Sequence, residues 1–245
     1  MLRGMDAGTG DAGSGTTVDA ATVVLLRDVG LGVECLMLRK NAGQAFGGMW
    51  VFPGGKVEEG DGEGAEARRR AAVREAFEET GLVLDAATLV PLSHWLPPRQ
   101  ESRRFSTWFF VAALPDGATD VVIDGGEIGD QMWITPWHAI ARHRAGEVSL
   151  VPPTWVTLRT IADAATIDEA LAAAAAGGVP SYRTRMVDDG GEPVCLWAPD
   201  VAHAGGDLAA VGPRHRLRMA GDGWSYERSG WGPEEEPAPA ATMGG

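Results

Sequence analysis

The chain has 245 residues, 44% hydrophobic and 22% charged, with 21 Lys and Arg against 34 Asp and Glu for a net charge of -13. That is enough chain to bury a core without staples, and two cysteines, Cys35 and Cys195, are too few for a disulfide framework or a Cys-rich zinc site. The acidity repels phosphodiester backbones and argues against nucleic-acid binding, although divalent cations could still let a small anionic ligand be held.

Both cysteines read as small core residues, and a reducing compartment, the cytoplasm, is the expected location. No apolar run approaches the roughly 18 to 20 residues of a membrane span, and the opening MLRGMDAGTGDAGSGTT lacks the apolar stretch of a signal peptide. A soluble protein that is not secreted is therefore expected.

Residues 1–17, rich in Gly, Thr and Ser, and residues 232–245 (GPEEEPAPAATMGG) are predicted to be disordered tails. Between them, Ala20 to Arg27 and Val33 to Arg39 are apolar runs separated by a Gly-containing turn, which reads as a hairpin. Trp50-Val51-Phe52 is a third short strand, stopped by Pro53-Gly54-Gly55. Glu66 to Thr80 (EARRRAAVREAFEET) is dense in helix formers, lacks Gly and Pro, and precedes Gly81, where a left-handed C-cap would sit. Leu82 to Leu96, Phe105 to Leu114 and a short strand near Trp133 to Thr135 continue the sheet. Pro136 to Arg144, Pro153 to Ala164 and Ile167 to Ala176 read as helices. Residues 181–230 alternate short strand-like pieces with Gly-rich turns. The expected organisation is a main domain over 18–165 and a small helical and β-rich extension over 166–231.

The chemistry concentrates on the first helix. Glu75, Glu78 and Glu79 stand at relative positions 0, +3 and +4, so about 100° per residue places three carboxylates on one face. Val73 and Phe77, with Ala76 on their flank, fall on the opposite face and are the expected core contact. Like charges at this spacing cost helix stability, and a hard divalent cation offsets the cost because it prefers oxygen ligands. A solvated helix face is the plain alternative. Against it stands the upstream VFPGGKVEEGD, a strand running into a Gly turn whose backbone can approach a ligand closely.

These residues resemble the Nudix box of the Nudix hydrolases. Arg74, Glu75, Ala76, Phe77, Glu78, Glu79, Thr80, Gly81 and Leu82 match its second half. For its first half, literal counting selects Gly60 and Glu66. The FPGGKVEEG context instead selects Gly55 with Asp61 in the acidic position, and five extra residues before Arg74; we prefer this alignment. LMLRKNAGQAFGGMWVFPGG, Trp95 to Pro98, Arg103 to Phe110 and Leu150 to Ala162 are similar to a longer Nudix subgroup that includes peroxisomal coenzyme A diphosphatases. The resemblance covers roughly Ala20 to Ala162.

It implies an α/β Nudix sandwich with a mixed sheet between helices, and Mg²⁺- or Mn²⁺-dependent hydrolysis of a diphosphate linkage in a nucleoside diphosphate derivative. Coenzyme A or acyl-coenzyme A leads among the implied substrates. ADP-ribose, dinucleotides and nucleotide sugars follow, and a ligand-binding protein that does not turn over is the rival from another class. By position, Glu75 and Glu79 become the main metal ligands, Glu78 a further ligand or base, and the Gly54 carbonyl completes the shell. Arg74 orients a carboxylate. Glu127, with Asp130 as competitor, is the candidate for the later acidic residue of many family members.

Arg39, Lys56, Arg103 and Arg104 are the basic residues nearest the motifs and candidate phosphate contacts. Trp95, Trp108 and Phe109 could stack on a base but fit a core equally. Arg68, Arg69 and Arg70 read as helix solvation, and no role is expected for His138. A small-molecule nucleotide-derived substrate is the implied partner, with neither nucleic acid nor membrane. The oligomeric state is left open, a homodimer included.

Overall fold

The computed structural model describes residues 17–30, 32–43, 45–99, 104–118, 120–123 and 125–230. The predicted tails lie outside these residues, apart from Thr17. The chain opens with the expected hairpin of β1 (Thr17–Asp28) and β2 (Val33–Lys40), paired antiparallel. β3 (Trp50–Val51) pairs antiparallel with β2 at Leu38 and Arg39, past the end of the β1 pairing, and β4 (Gly54–Lys56) pairs with the start of β1. A short 3-10 turn at Glu59–Asp61 leads into α1 (Gly64–Thr80), which ends at Gly81 with φ 72°. Gly fits there because a side chain is disfavoured in the left-handed region.

β5 (Val90–Leu96) pairs antiparallel with β6 (Arg104–Ala113), and β6 lies parallel beside β1. The sheet therefore mixes both directions. Within Leu82 to Leu96, only the part from Val90 is strand. β7 (Ile128–Ile134) pairs with β2 and is followed by α2 (Pro136–Arg144), α3 (Pro152–Ile161) and α4 (Ile167–Ala176). Each of α2 and α3 starts on a proline, whose missing N–H costs nothing in the first turn.

Beyond α4, β8 (Ser181–Arg183) joins the main sheet parallel to β5. The chain then forms a second antiparallel sheet from β9 (Arg185–Asp189), β10 (Glu192–Leu196), β11 (Arg214–Ala220) and β12 (Gly223–Ser229), with the one-turn α5 (Ala202–Gly205) between β10 and β11.

Alternation along β1 feeds two cores. Ala21, Val23 and Leu25 pack against α1, while Val24 and Leu26 join the cluster that holds Ala139, Trp155 and Ala170 from α2, α3 and α4 and Leu217 from the second sheet. The result is the expected α/β/α sandwich. Trp95 stacks on Tyr182 at 3.9 Å between ring centroids and meets Trp197 edge-on at 5.6 Å, so β5 is tied to both later sheet segments. Cys35 and Cys195 are buried, as their residue type suggests.

The helix face differs from expectation. Ala67, Ala71, Ala72 and Ala76 are the buried apolar positions of α1, whereas Phe77 is 54% exposed and Val73 only half-buried. Small side chains let the helix lie close to β1 and β4, and the arc they occupy leaves Phe77 outside. Arg68 and Arg69 are also more than solvation. Arg68 pairs with Asp19 at 3.0 Å and lies over Trp108, and Arg69 donates to the Leu89 carbonyl, so α1 is anchored along both flanks.

Candidate active site

The β3–β4 turn, the β4–α1 connection and the end of the β6–β7 connection converge on α1. The β3–β4 turn passes so close to β1 that a Cβ on Gly54 would stand 2.4 Å from the Ala21 carbonyl oxygen and 2.6 Å from the Thr22 Cα. Thr22 holds the turn by donating its hydroxyl to the Pro53 carbonyl at 2.8 Å. Gly55 faces Glu75 instead, where a Cβ would fall 2.3 Å from one carboxylate oxygen and 2.5 Å from the other. The missing side chain is what lets Glu75 lie against the backbone.

Arg74 gathers the carboxylates on its side. It donates to both oxygens of Asp61, at 3.2 and 3.0 Å, to Glu75 at 3.0 Å, to Glu78 at 3.4 Å and to the Lys56 carbonyl at 2.9 Å. Asp61 is buried and also accepts the Glu58 N–H at 2.8 Å. Burial works against its charge, yet Arg74 and that N–H together hold the carboxyl below its ordinary range. Glu66 is exposed and, among the described residues, its ion pair is with Arg70 at 4.0 Å. Of the two alignments left open by the sequence, the one through Gly55 and Asp61 puts its acid beside Arg74.

Glu79, buried on the same helix, accepts the Gly54 N–H at 2.9 Å and the Lys40 ammonium at 2.5 Å. Lys40 also reaches Glu127 at 3.3 Å. Desolvation opposes the lysine's charge, but the two carboxylates raise its pKa overall. Burial pushes the Glu75 and Glu79 carboxyls above the usual range despite Arg74 and Lys40. Glu78 is exposed.

These groups line one end of a cleft of about 1080 Å³. Among the described residues its lining carries five glutamates (Glu58, Glu75, Glu78, Glu79 and Glu127) against Lys40, Lys56 and Arg74. No three acidic, Cys or His side chains among them already stand grouped as a metal cage. Glu75 and Glu78 are drawn to Arg74, and Glu79 to Lys40. The donors nevertheless fit a hard divalent cation. They are carboxylate oxygens beside a Gly turn with no side chain in the way, and burial raises the pKa of both the half-buried Glu75 and the buried Glu79, so a further positive charge would stabilise their ionised forms.

The other candidates separate clearly. Lys56 lines the cleft; Arg39 instead pairs with Asp130 at 3.5 Å and lies over Trp50, and Arg104 donates to the Pro97 carbonyl. Arg103 lies outside the described residues. Glu127 lies in the cleft and Asp130 does not. Trp95 and Phe109 are core residues whose surfaces also line the cleft, while Trp108 stacks on His94, and His138 is exposed on α2.

Lys40 is the cleft residue, paired with Glu79 and Glu127, that the motifs did not point to. Alternation could have found it, since Leu36 and Leu38 face α1 and Lys40 follows at the same parity, whereas Arg39 shares the parity of Met37 on the other face.

A model of the NUDIX domain matches residues 16–152. The chain belongs to this family. Among relatives of this NUDIX chain, the acyl-coenzyme A diphosphatase NUDT19 of Gallus gallus is 27% identical over 142 residues, 49% of this chain and 38% of that protein. Putative nudix hydrolase 7 of Caenorhabditis elegans is 26% identical over 154 residues, 48% of this chain and 52% of that one. The matches thus span about half or less of these relatives. The solved NUDIX hydrolase from Alicyclobacillus acidocaldarius superposes with a TM-score of 0.59 at 21% identity, over 65% of this chain and 97% of that one, and supports the fold. The match ends at Pro152, so β8 to β12 lie outside the family region. Among the described residues no helix is long and apolar enough to cross a membrane.

Proposed function

We propose that this NUDIX protein hydrolyses the diphosphate linkage of a nucleoside diphosphate derivative with Mg²⁺ or Mn²⁺ bound, and that coenzyme A or its acyl derivatives are the substrates. The observation that carries the reading is the Arg74 cluster, which fixes Asp61, Glu75 and Glu78 beside the Glu79–Gly54 contact at the mouth of a large cleft. Glu75, Glu79, Glu78 and the Gly54 carbonyl would hold the ion. When bound, it supplies neutralisation of the diphosphate oxygens and acidification of a water.

The protein's own groups do the rest. Arg74 keeps Glu75 and Glu78 aligned by charge-assisted hydrogen bonds, as an orienting partner behind the ligands. Glu127, exposed to the cleft, is the base that takes the proton of the attacking water, and Glu78 takes that role only where it does not ligate the ion. Lys40 and Lys56 offer positive charge to the phosphates. The NUDT19 likeness supports coenzyme A among the alternatives.

The test is mass-spectrometric product analysis on coenzyme A, acetyl-coenzyme A, ADP-ribose, NADH and a nucleotide sugar, with wild type beside Glu79→Gln. Release of 3′,5′-ADP and a phosphopantetheine by wild type alone is expected. Cleavage of another compound keeps the chemistry and discards coenzyme A. No metal-dependent cleavage of any of them counts against the enzyme.

A further inference from the structure

The cleft is longer than its charged end. Besides the glutamates its lining includes the apolar Trp95, Phe109 and Leu150, and with them Met186, Met219 and Trp224. Those last three belong to the second sheet, beyond the residues that match the family.

Their placement follows from register. Met186 pairs with Cys195, Cys195 with Leu217, and Leu217 with Tyr226, so these four share one face of the sheet. Met219 and its partner Trp224 lie two positions on, at the same parity. This face turns toward the main core, while Val187, Val194 and Leu196 on the other face pack around α5. Trp224 is steadied by His143 edge-on at 4.5 Å and by Trp155 at 6.3 Å. The far wall thus presents two flexible thioethers beside a fixed indole, with no charged side chain among these residues. Such a surface accepts apolar chains of varied shape, because Met adapts its rotamers at little cost. A volume of about 1080 Å³ is at the upper end for a drug-sized ligand, leaving space beyond a nucleoside diphosphate.

We propose that Met186, Met219 and Trp224 form a specificity wall for an apolar chain carried on the far group of the substrate, so that acylated diphosphate compounds are preferred over their unacylated parents. The inference rests on the diphosphatase reading for the seat of the diphosphate at Glu75 and Glu79.

The probes are free coenzyme A and octanoyl-coenzyme A. Their affinities are measured by calorimetry with Ca²⁺ in place of Mg²⁺, so that an oxygen-liganded cation stays in the diphosphate seat, and their KM and kcat with Mg²⁺. Each buried methylene strengthens binding about fourfold, so a chain burying three gains about 60-fold. Wild type is expected to favour the octanoyl compound by that factor. Trp224→Ala, and independently the double variant Met186→Ser with Met219→Ser, are expected to cut the preference below about fivefold while leaving free coenzyme A unaffected. The double variant guards against loss of folding in Trp224→Ala, and melting curves identify such loss. Equal wild-type affinity for the two probes, including no binding of either, overturns the proposal, as does a preference that survives in folded variants. Hydrolysis of both probes with equal affinity removes the wall and keeps the diphosphatase. Preferential binding without hydrolysis, lost in the variants, keeps the wall and removes the diphosphatase.

Discussion

Gly55→Ala separates the site from the fold. The added methyl carbon would sit 2.3 Å from Glu75 Oε1 and Cδ and 2.5 Å from Oε2, a clash relieved only if the carboxylate swings away. Because the obstacle is the tip of a flexible side chain, β4 need not move. The stability terms nearly cancel. Restricting the unfolded chain gains about 0.4 to 1 kcal/mol, and loosening the Arg74–Glu75 ion pair loses about 0.2 to 1 kcal/mol. The melting temperature is therefore expected within about 3 °C of wild type. For a reaction that depends on the Glu75 carboxylate, a displacement on the order of 1 Å costs about 100-fold in kcat. The assay is kcat against metal concentration, with thermal melting alongside. Gly54→Ala is the contrast, since its methyl would strike the Ala21 carbonyl and Thr22 Cα of the backbone, and it should destabilise the whole protein. A folded Gly55→Ala protein with activity and metal dependence within threefold of wild type would refute the placement of Glu75 at the reacting centre.

Glu127→Gln should lower kcat at least about tenfold and Asp130→Asn less than about threefold, because only Glu127 lies in the cleft; the reverse order in steady-state assays would reject Glu127. Asp200→Asn should cost about 3 to 5 kcal/mol, since it leaves the fully buried Arg216 without the partner it grips at 2.7 Å through two hydrogen bonds. Urea unfolding measures this, and a loss below about 1 kcal/mol would contradict it. Burial brings the His215 imidazole down from 6.5 to about 4. Between those values the unfolded chain binds a proton that the folded protein refuses, so stability is whole above pH 6.5 and falls as pH drops toward 4, by up to about 3 kcal/mol. His94, likewise brought to about 4 by burial, acts in the same direction. Melting temperatures that stay level from pH 7 to pH 5 would refute this.

Much of the site was legible because it is local. Arg74 to Gly81 lie on one helix, where 3.6 residues per turn fix which carboxylates share a face. What escaped is long-range. Phe77 looked like a core residue because helical spacing puts it opposite the carboxylates, but the helix approaches the sheet through four alanines, and only the tertiary distance reveals that small side chains set the contact. The pairing of Asp61 with Arg74 spans a loop whose length disguises the motif, and the backbone N–H of Glu58 that helps hold Asp61 leaves no trace in composition.

The competition between Glu127 and Asp130 turns on a β-bulge. Along β2 and β7 the register runs Leu38 to Gln131 and Arg39 to Asp130, then jumps to Lys40 opposite Ile128, leaving Gly129 as the extra residue. Strict alternation from Asp130 would send Ile128 to the same face as Asp130, but Ile128 is buried in the cluster under α1. The bulge performs that switch, and Gly129 at its centre lies against Asn41, where a Cβ would come 2.3 Å from the side-chain oxygen. Asn41 in turn donates its backbone N–H to the Glu127 carbonyl at 2.8 Å and its amide to the Gly126 carbonyl at 2.9 Å, which holds the end of the loop beside Lys40. Asp130 stays on the regular side of the bulge and pairs with Arg39. Gly129→Ala should consequently act on activity through Glu127. The methyl group disturbs Asn41, loosens the 126–127 segment and lowers kcat by about as much as Glu127→Gln, while the Glu127→Gln background should make the second change nearly silent. Fully additive losses in that double-mutant cycle would show that Gly129 acts elsewhere.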